Sequence, residues 1–151
     1  MRAPERLLPQ PTDLTRPFWD AAQDNRLTAQ TCLACGQAQF YPRPFCVKCG
    51  SEQLEWKTLS GKGRIYTYTI NHRASNAFMK TRVPYAVAIV DLDEGVRMMG
   101  NIVEGDLADI QIGKQVHVVF EALSETLKLP QFALSPSHIS EPALLSNPSR
   151  Q

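Results

Sequence analysis

No apolar run in this 151-residue chain approaches the roughly 18 residues that a membrane-spanning helix needs. Charge of one sign is missing too: 16 Lys and Arg against 15 Asp and Glu leave a formal net charge of +1, so no global field draws the chain to nucleic acid or to an anionic membrane. The N-terminal MRAPERLLPQPTDL holds only a two-leucine apolar run, far short of a secretory signal core, which predicts a cytoplasmic chain with reduced thiols. There is no G-x-S-x-G elbow and no H-E-x-x-H helix. Histidine is scarce as well: His72, His117 and His138 lie far apart, His117 alternates with Val116 and Val118 as a sheet-face residue would, and His138 falls in the tail. No catalytic constellation follows from any of them, so a stand-alone enzyme is not expected.

Four cysteines are all the chain has, and their placement is its strongest signal. Cys32, Cys35, Cys46 and Cys49 form C-x2-C-x10-C-x2-C, with Gly36 and Gly50 following each pair. Two residues between cysteines let a tight turn aim both sulfurs at one tetrahedral ion, and the glycine takes the backbone conformation that closes the turn. With four protein ligands no position is left for water, so the spacing predicts a structural Zn2+. Iron in the same sulfur cage is the main alternative metal, and a pair of redox C-x-x-C motifs is the metal-free alternative, although the βαβ pattern that houses such motifs is missing. Four thiolates and one Zn2+ would move the net charge from +1 to about −1.

Around this site the chain divides into four segments. Residues 1–27 begin with a proline-rich arm and continue into a short helix from Thr15 to about Asn25, with Thr15 as N-cap and Phe18, Trp19 and Ala22 on one apolar face. Residues 28–56 are the cysteine ribbon. Residues 57–135 switch to period-2 segments: strands are predicted at Gly63–Asn71, Val83–Leu92, Val96–Val103, Gln115–Leu123 and Lys128–Leu134, enough for a five-stranded barrel. Asp93-Glu94-Gly95 makes the hairpin between the second and third. Ile65, Val87, Ile89, Met98, Val116, Val118 and Phe120 are the expected core, although the second strand is apolar on both faces. Residues 136–151, rich in Ser and Pro, read as a flexible tail.

Charge is patterned even though its sum is not. From Lys57 to Arg82 there are six basic residues and no acidic one, whereas Asp91 to Asp109 holds six acidic residues against Arg97 alone. A loop carrying His72, Arg73, Phe78, Lys80 and Arg82 is therefore a candidate contact for coenzyme A phosphates or for an acidic partner surface, with plain solvated charge as the alternative.

Several of these segments together resemble a known family. Pro17-Phe18-Trp19, the paired C-x-x-C-G knuckles with Phe40-Tyr41-Pro42-Arg43 between them, Gly61-Lys62-Gly63-Arg64-Ile65-Tyr66, Pro84-Tyr85, Leu92-Asp93-Glu94-Gly95 and Ile112-Gly113 resemble, over residues 14 to 134, the acyl-CoA-associated accessory proteins that join a rubredoxin-like zinc ribbon to an OB-fold. The resemblance implies a mainly β protein with an N-terminal helix, the ribbon and a five-stranded OB-fold barrel. It also implies a noncatalytic or semi-catalytic subunit that pairs with a thiolase-superfamily enzyme, or with a hot-dog-fold enoyl-CoA hydratase or a thiolase-like aldolase. Phe18, Trp19, Phe40, Tyr41 and Phe45 are the candidate partner contacts, because aromatic residues clustered on so small a module make good interface anchors. Acyl-CoA is a candidate ligand. A nucleic-acid-binding ribbon and barrel, with Tyr66, Tyr68 and Phe78 stacking on bases, is the competing reading, weakened by the near-neutral charge.

Overall fold

The computed structural model of the protein describes residues 2–136; residues 137–151, with His138 and nearly all of the expected tail, lie outside the described residues. Helix α1 spans Arg16–Gln23. Thr15 stands at its N-cap but does not cap it with its hydroxyl, as the sequence suggested: Thr15 Oγ1 instead accepts the amide of Thr12 at 2.9 Å, and the Thr12 carbonyl accepts the Arg16 amide at 2.8 Å. The far end closes as expected near Asn25, which adopts φ 59° while the amides of Asn25 and Arg26 return to the carbonyls of Ala22 and Ala21. Phe18, Ala21 and Ala22 face inward and are buried.

The ribbon follows as strands β1 (Thr28–Cys32), β2 (Ala38–Gln39) and β3 (Leu54–Thr58), in the order β2-β1-β3. Gln30 pairs with Gln39 on one side of the central strand and with Trp56 on the other. The last ribbon strand runs to Thr58, and the Leu59 amide still bonds to the Leu27 carbonyl, so the ribbon sheet reaches slightly beyond Trp56.

Five strands form the closed OB-fold sheet: β4 (Lys62–Asn71), β5 (Tyr85–Leu92), β6 (Arg97–Glu104), β7 (Gln115–Ala122) and β8 (Lys128–Leu134). Their order is β4-β5-β6-β8-β7, with β7 returning to β4 and all neighbours antiparallel except β6 and β8. Strand β5 begins at Tyr85 rather than Val83, since Pro84 has no N–H for the ladder. The expected hairpin is present, with Gly95 at φ 89° and its amide bonded to the Leu92 carbonyl at 2.9 Å.

The interior corrects the expected core on one strand. Ile65, Met98 and Val116 are buried as predicted, and Val118 and Phe120 are partly buried against them. On β5, however, the inward residues are Ala86, Ala88, Val90 and Leu92, while Val87 and Ile89 point outward. Phe132, fully buried, explains the choice: Ala88 and Gly100 pair across β5 and β6, and a Cβ on Gly100 would sit 3.0 Å from the Phe132 ring. Where one large ring fills the barrel, only small side chains fit opposite.

Candidate metal centre and interface groove

The two cysteine knuckles repeat one local design. In each, the first cysteine's amide bonds to the carbonyl five residues on (Cys32 to Gln37, 2.9 Å; Cys46 to Ser51, 2.8 Å), and the glycine amide returns to that cysteine's carbonyl at 2.9 Å. Gly36 and Gly50 hold φ of 76° and 77° with open space around each, so glycine is needed there for its backbone and not for room.

Folding brings all four sulfurs within 4.8 Å of one another, with Cys32–Cys49 and Cys35–Cys46 both at 3.6 Å. A tetrahedron with Zn–S bonds of about 2.3 Å requires S···S edges of about 3.8 Å, so the cage fits one such ion. Without an ion the thiols share charge unevenly. Backbone amides, that of Cys49 foremost, hold the Cys46 thiol down to about 6, and the Cys35 amide lowers Cys32. The Ser51 amide pulls Cys49 the same way, but hydrogen bonds with the neighbouring thiols, Cys32 first, push it up to about 12. A bound dication lets all four exist as thiolates. The residues that would hold it are Cys32, Cys35, Cys46 and Cys49, and it supplies a structural cross-link.

A second construction, not visible in the sequence, orders the segment between the knuckles. Gln30 and Gln39 are buried and bonded together (Nε2 of Gln39 to Oε1 of Gln30, 2.8 Å). Gln30 takes the Arg43 amide at 2.8 Å and donates to the Arg43 carbonyl at 2.9 Å; Gln39 takes the Val47 amide at 3.0 Å and donates to the Phe45 carbonyl at 3.2 Å. Two carboxamides thus replace a missing ladder for residues 40–47. A glutamine at alternate positions of a polar strand looks solvent-facing, and only the pairing of β1 with β2 reveals the clasp.

This clasp sets the stance of the predicted aromatic residues. Phe18 is only 6% exposed and packs on Phe40 (ring centroids 5.6 Å) and Trp19 (5.2 Å), so it supports the groove that it helps to line from beneath these two rings. Tyr41 stacks on Phe40 at 4.4 Å and is 52% exposed; Phe45 is 49% exposed. Trp19, Phe40 and Tyr41 form one wall of a groove of about 550 Å3. The other wall is the outer face of the barrel, including Val87, Met99 and Asn101 from β5 and β6, the strands that correspond to the second and third of the OB-fold and carry ligands in many such folds. The ribbon therefore roofs that face with aromatic side chains.

The basic loop splits in two. Arg82 bonds to Glu121 at 2.6 Å, and Arg6 from the N-terminal arm bonds to the same carboxylate oxygen at 2.8 Å. Both guanidinium groups lie over Phe78, 5.0 and 5.2 Å from its centroid, so the arm is clasped to the barrel through this ring. Burial alone would raise the Glu121 carboxyl, but the bonds from Arg6 and Arg82 outweigh it and hold the group below its ordinary range. His72, Arg73 and Lys80 are exposed. Three of the six residues of the acidic stretch have partners in the structure: Asp91 binds Arg97 at 2.6 Å, Glu94 accepts the Ser60 amide, and Asp106 caps the turn at Ala108.

Comparison with known proteins agrees with both halves of this description. Residues 19–55 match the family described as "ChsH2, rubredoxin-like zinc ribbon domain", and residues 56–121 match "ChsH2, C-terminal OB-fold domain". A DUF35 domain-containing scaffold protein of Methanocaldococcus jannaschii is 42% identical over 95 residues, which cover 62% of this chain and 67% of the relative. The chain belongs to the DUF35 family.

Within that family, 35% identity over 85% of this chain links it to a probable enoyl-CoA hydratase alpha subunit of Thermomonospora curvata, of whose length the chain spans only 40%. A benzoylsuccinyl-CoA thiolase subunit of Thauera aromatica is 31% identical over 64% of this chain and 59% of the relative. Among solved structures, the DUF35 chain of an Ltp2-ChsH2 aldolase superposes with a TM-score of 0.76 at 31% identity, covering 84% of this chain and 98% of that one. The four-cysteine cage is accordingly a structural zinc site of a rubredoxin-like ribbon. Among the described residues no helix is long and apolar enough to cross a membrane.

Proposed function

We propose that the chain is an accessory subunit of an acyl-CoA-processing complex, pairing with a thiolase-superfamily enzyme through its zinc ribbon and the roofed face of its barrel. The observation that carries this reading is the groove: an OB-fold face that could meet a ligand from solution is covered by Trp19, Phe40 and Tyr41, with Tyr41 more than half exposed at the rim. The names of the DUF35 relatives, subunits of a thiolase, a hydratase and an aldolase, point the same way. A hydratase or aldolase partner is the second reading, supported by the hydratase relative and the aldolase structure. The zinc thiolates fit a reducing compartment, and the cytoplasm is the proposed location.

The nucleic-acid alternative keeps only Tyr68 of its three stacking residues uncovered. Phe78 is already covered by Arg6 and Arg82, and the Arg97 guanidinium lies 3.7 Å from the centroid of Tyr66. His72, Arg73 and Lys80 remain candidate contacts for a partner or for coenzyme A phosphates. Arg82 is less suited, since Glu121 already occupies it.

The test is recovery of the tagged chain from its native host with mass spectrometry of what accompanies it, followed by an acyl-CoA turnover assay of the accompanying enzyme with and without the chain. Stoichiometric recovery of a thiolase-like enzyme whose activity falls without the chain supports the proposal. Recovery of nucleic acid alone, or turnover of acyl-CoA by the chain unaided, defeats it.

A further inference from the structure

We infer that the groove between the ribbon and the barrel receives an extended segment of the partner enzyme, apolar along its length and acidic at the end that meets the basic loop. The inference rests on the subunit reading above and names the site and chemistry of contact. Three observations select this occupant.

The groove carries spare amides. Gln131 is only 4% exposed and lines the cleft; its Oε1 accepts the Asn101 amide at 2.8 Å, while its Nε2 has no partner among the described residues. The Asn101 carboxamide beside it is also without a partner among them. Both carboxamides are reachable from the groove and so are free to bond to whatever occupies it. Backbone carbonyl and amide groups of an extended chain present acceptors and donors that match these side-chain carboxamides.

Charge gives the segment a direction. Ser75, Met79 and Arg6 line the groove, and Ser75 and Met79 belong to the loop that carries Arg73, Lys80 and Arg82 just outside it. Against these four cations only Glu121 forms an ion pair among the described residues, so the loop and arm beside the groove keep a positive excess. Acidic side chains complement it, raising the association rate and fixing register.

The apolar surface spills over the rim. Tyr41 and Met99 line opposite walls yet are 52% and 56% exposed, so more apolar area lies outside the cleft than a small ligand lodged within it would cover. A protein segment continuous with a larger partner surface covers both.

Calorimetry between the purified chain and the partner enzyme identified by recovery tests this. Met99→Glu places a charge on the apolar wall at an exposed position, and Tyr41→Glu does the same from the ribbon. Each is expected to weaken binding by about tenfold or more. The double variant Arg73→Glu/Lys80→Glu should lower affinity mainly at low salt. Ile112→Glu, 69% exposed and outside the groove, is the control and should bind within about twofold of the parent. Zinc content and melting temperature confirm that each variant is folded; if one of the two groove variants fails, the other decides. Unchanged affinity in the folded groove variants overturns the inference while leaving the subunit reading intact. Retained partner binding with loss of acyl-CoA binding by the isolated chain overturns it too, since the groove would then be a ligand site. A parent chain that binds no acyl-CoA enzyme defeats the subunit reading first, and this inference with it.

Discussion

Between Thr28 and Thr58 the buried residues are Thr28, Ala29, Gln30, Cys32, Gln39 and Cys46, of which Ala29 alone is a simple aliphatic side chain. The barrel buries Ile65, Val90, Leu92, Met98, Ile102, Val116 and Phe132, with Gln131 its only buried polar residue among the described residues. The ribbon is therefore held by a four-thiolate metal cage and a two-glutamine clasp, and the barrel by removing apolar surface from water. Directed bonds fail when one ligand is lost, whereas a packed core loses stability by degrees. The two halves of the chain should thus respond differently to the same kind of insult.

The largest effect is expected at the cage. Cys46→Ser removes a buried ligand, and metal analysis should fall from about one zinc per chain towards none. Limited proteolysis should then cut within residues 28–58 while the barrel persists; simultaneous loss of both would make the two halves one cooperative unit. Next comes Phe132→Ala, expected to cost about 3–5 kcal/mol in denaturant unfolding because Phe132 is fully buried where Gly100 leaves no residue able to collapse into the space. Zinc content of the folded fraction should not change.

A smaller effect tests the clasp. Gln39→Ala takes the side-chain partner from the Val47 amide and from the Phe45 carbonyl and removes one of the bonds to Gln30; it should cost about 1–3 kcal/mol, read as a lower temperature of zinc release. No change would reduce the clasp to a solvated loop contact. Smallest is the arm. Glu121→Gln weakens both arginine contacts and should lower stability by about 1–2 kcal/mol at neutral pH. Because the folded-state carboxyl is held below its unfolded value, this difference is present above about pH 4.3 and disappears as acid protonates the group in the folded state. A parent–variant gap that persists at low pH would assign the effect to packing.

The metal ligands were fully legible because C-x-x-C-G is a local device: each knuckle closes its own hydrogen bonds within five residues. Strand positions were legible for the same reason, since period-2 alternation needs no partner to be seen. The inner face of β5 was not. Ala86, Val87, Ala88, Ile89 and Val90 are apolar throughout, and the choice rests on Phe132, more than 40 residues away in sequence. With both faces apolar, alternation alone left the choice between them open, and Val87 and Ile89 were expected inside. The Arg6–Phe78–Arg82–Glu121 clasp escaped likewise, joining an arm, a loop and a strand that have nothing periodic in common.

The sequence by itself determined the zinc cage, the division into helix, ribbon and five strands, and the family, because each rests on short spacings or on contiguous runs of residues. Tertiary structure alone decided which aromatic residues remain available: Phe18 was drawn inward while Tyr41 was left at a rim. It also decided that the loop's cations are unequal, with Arg82 neutralised and Lys80 free in solvent, and that the OB-fold face is roofed. Exposure and pairing depend on what distant segments bring to a residue, and that is settled only when the chain closes on itself.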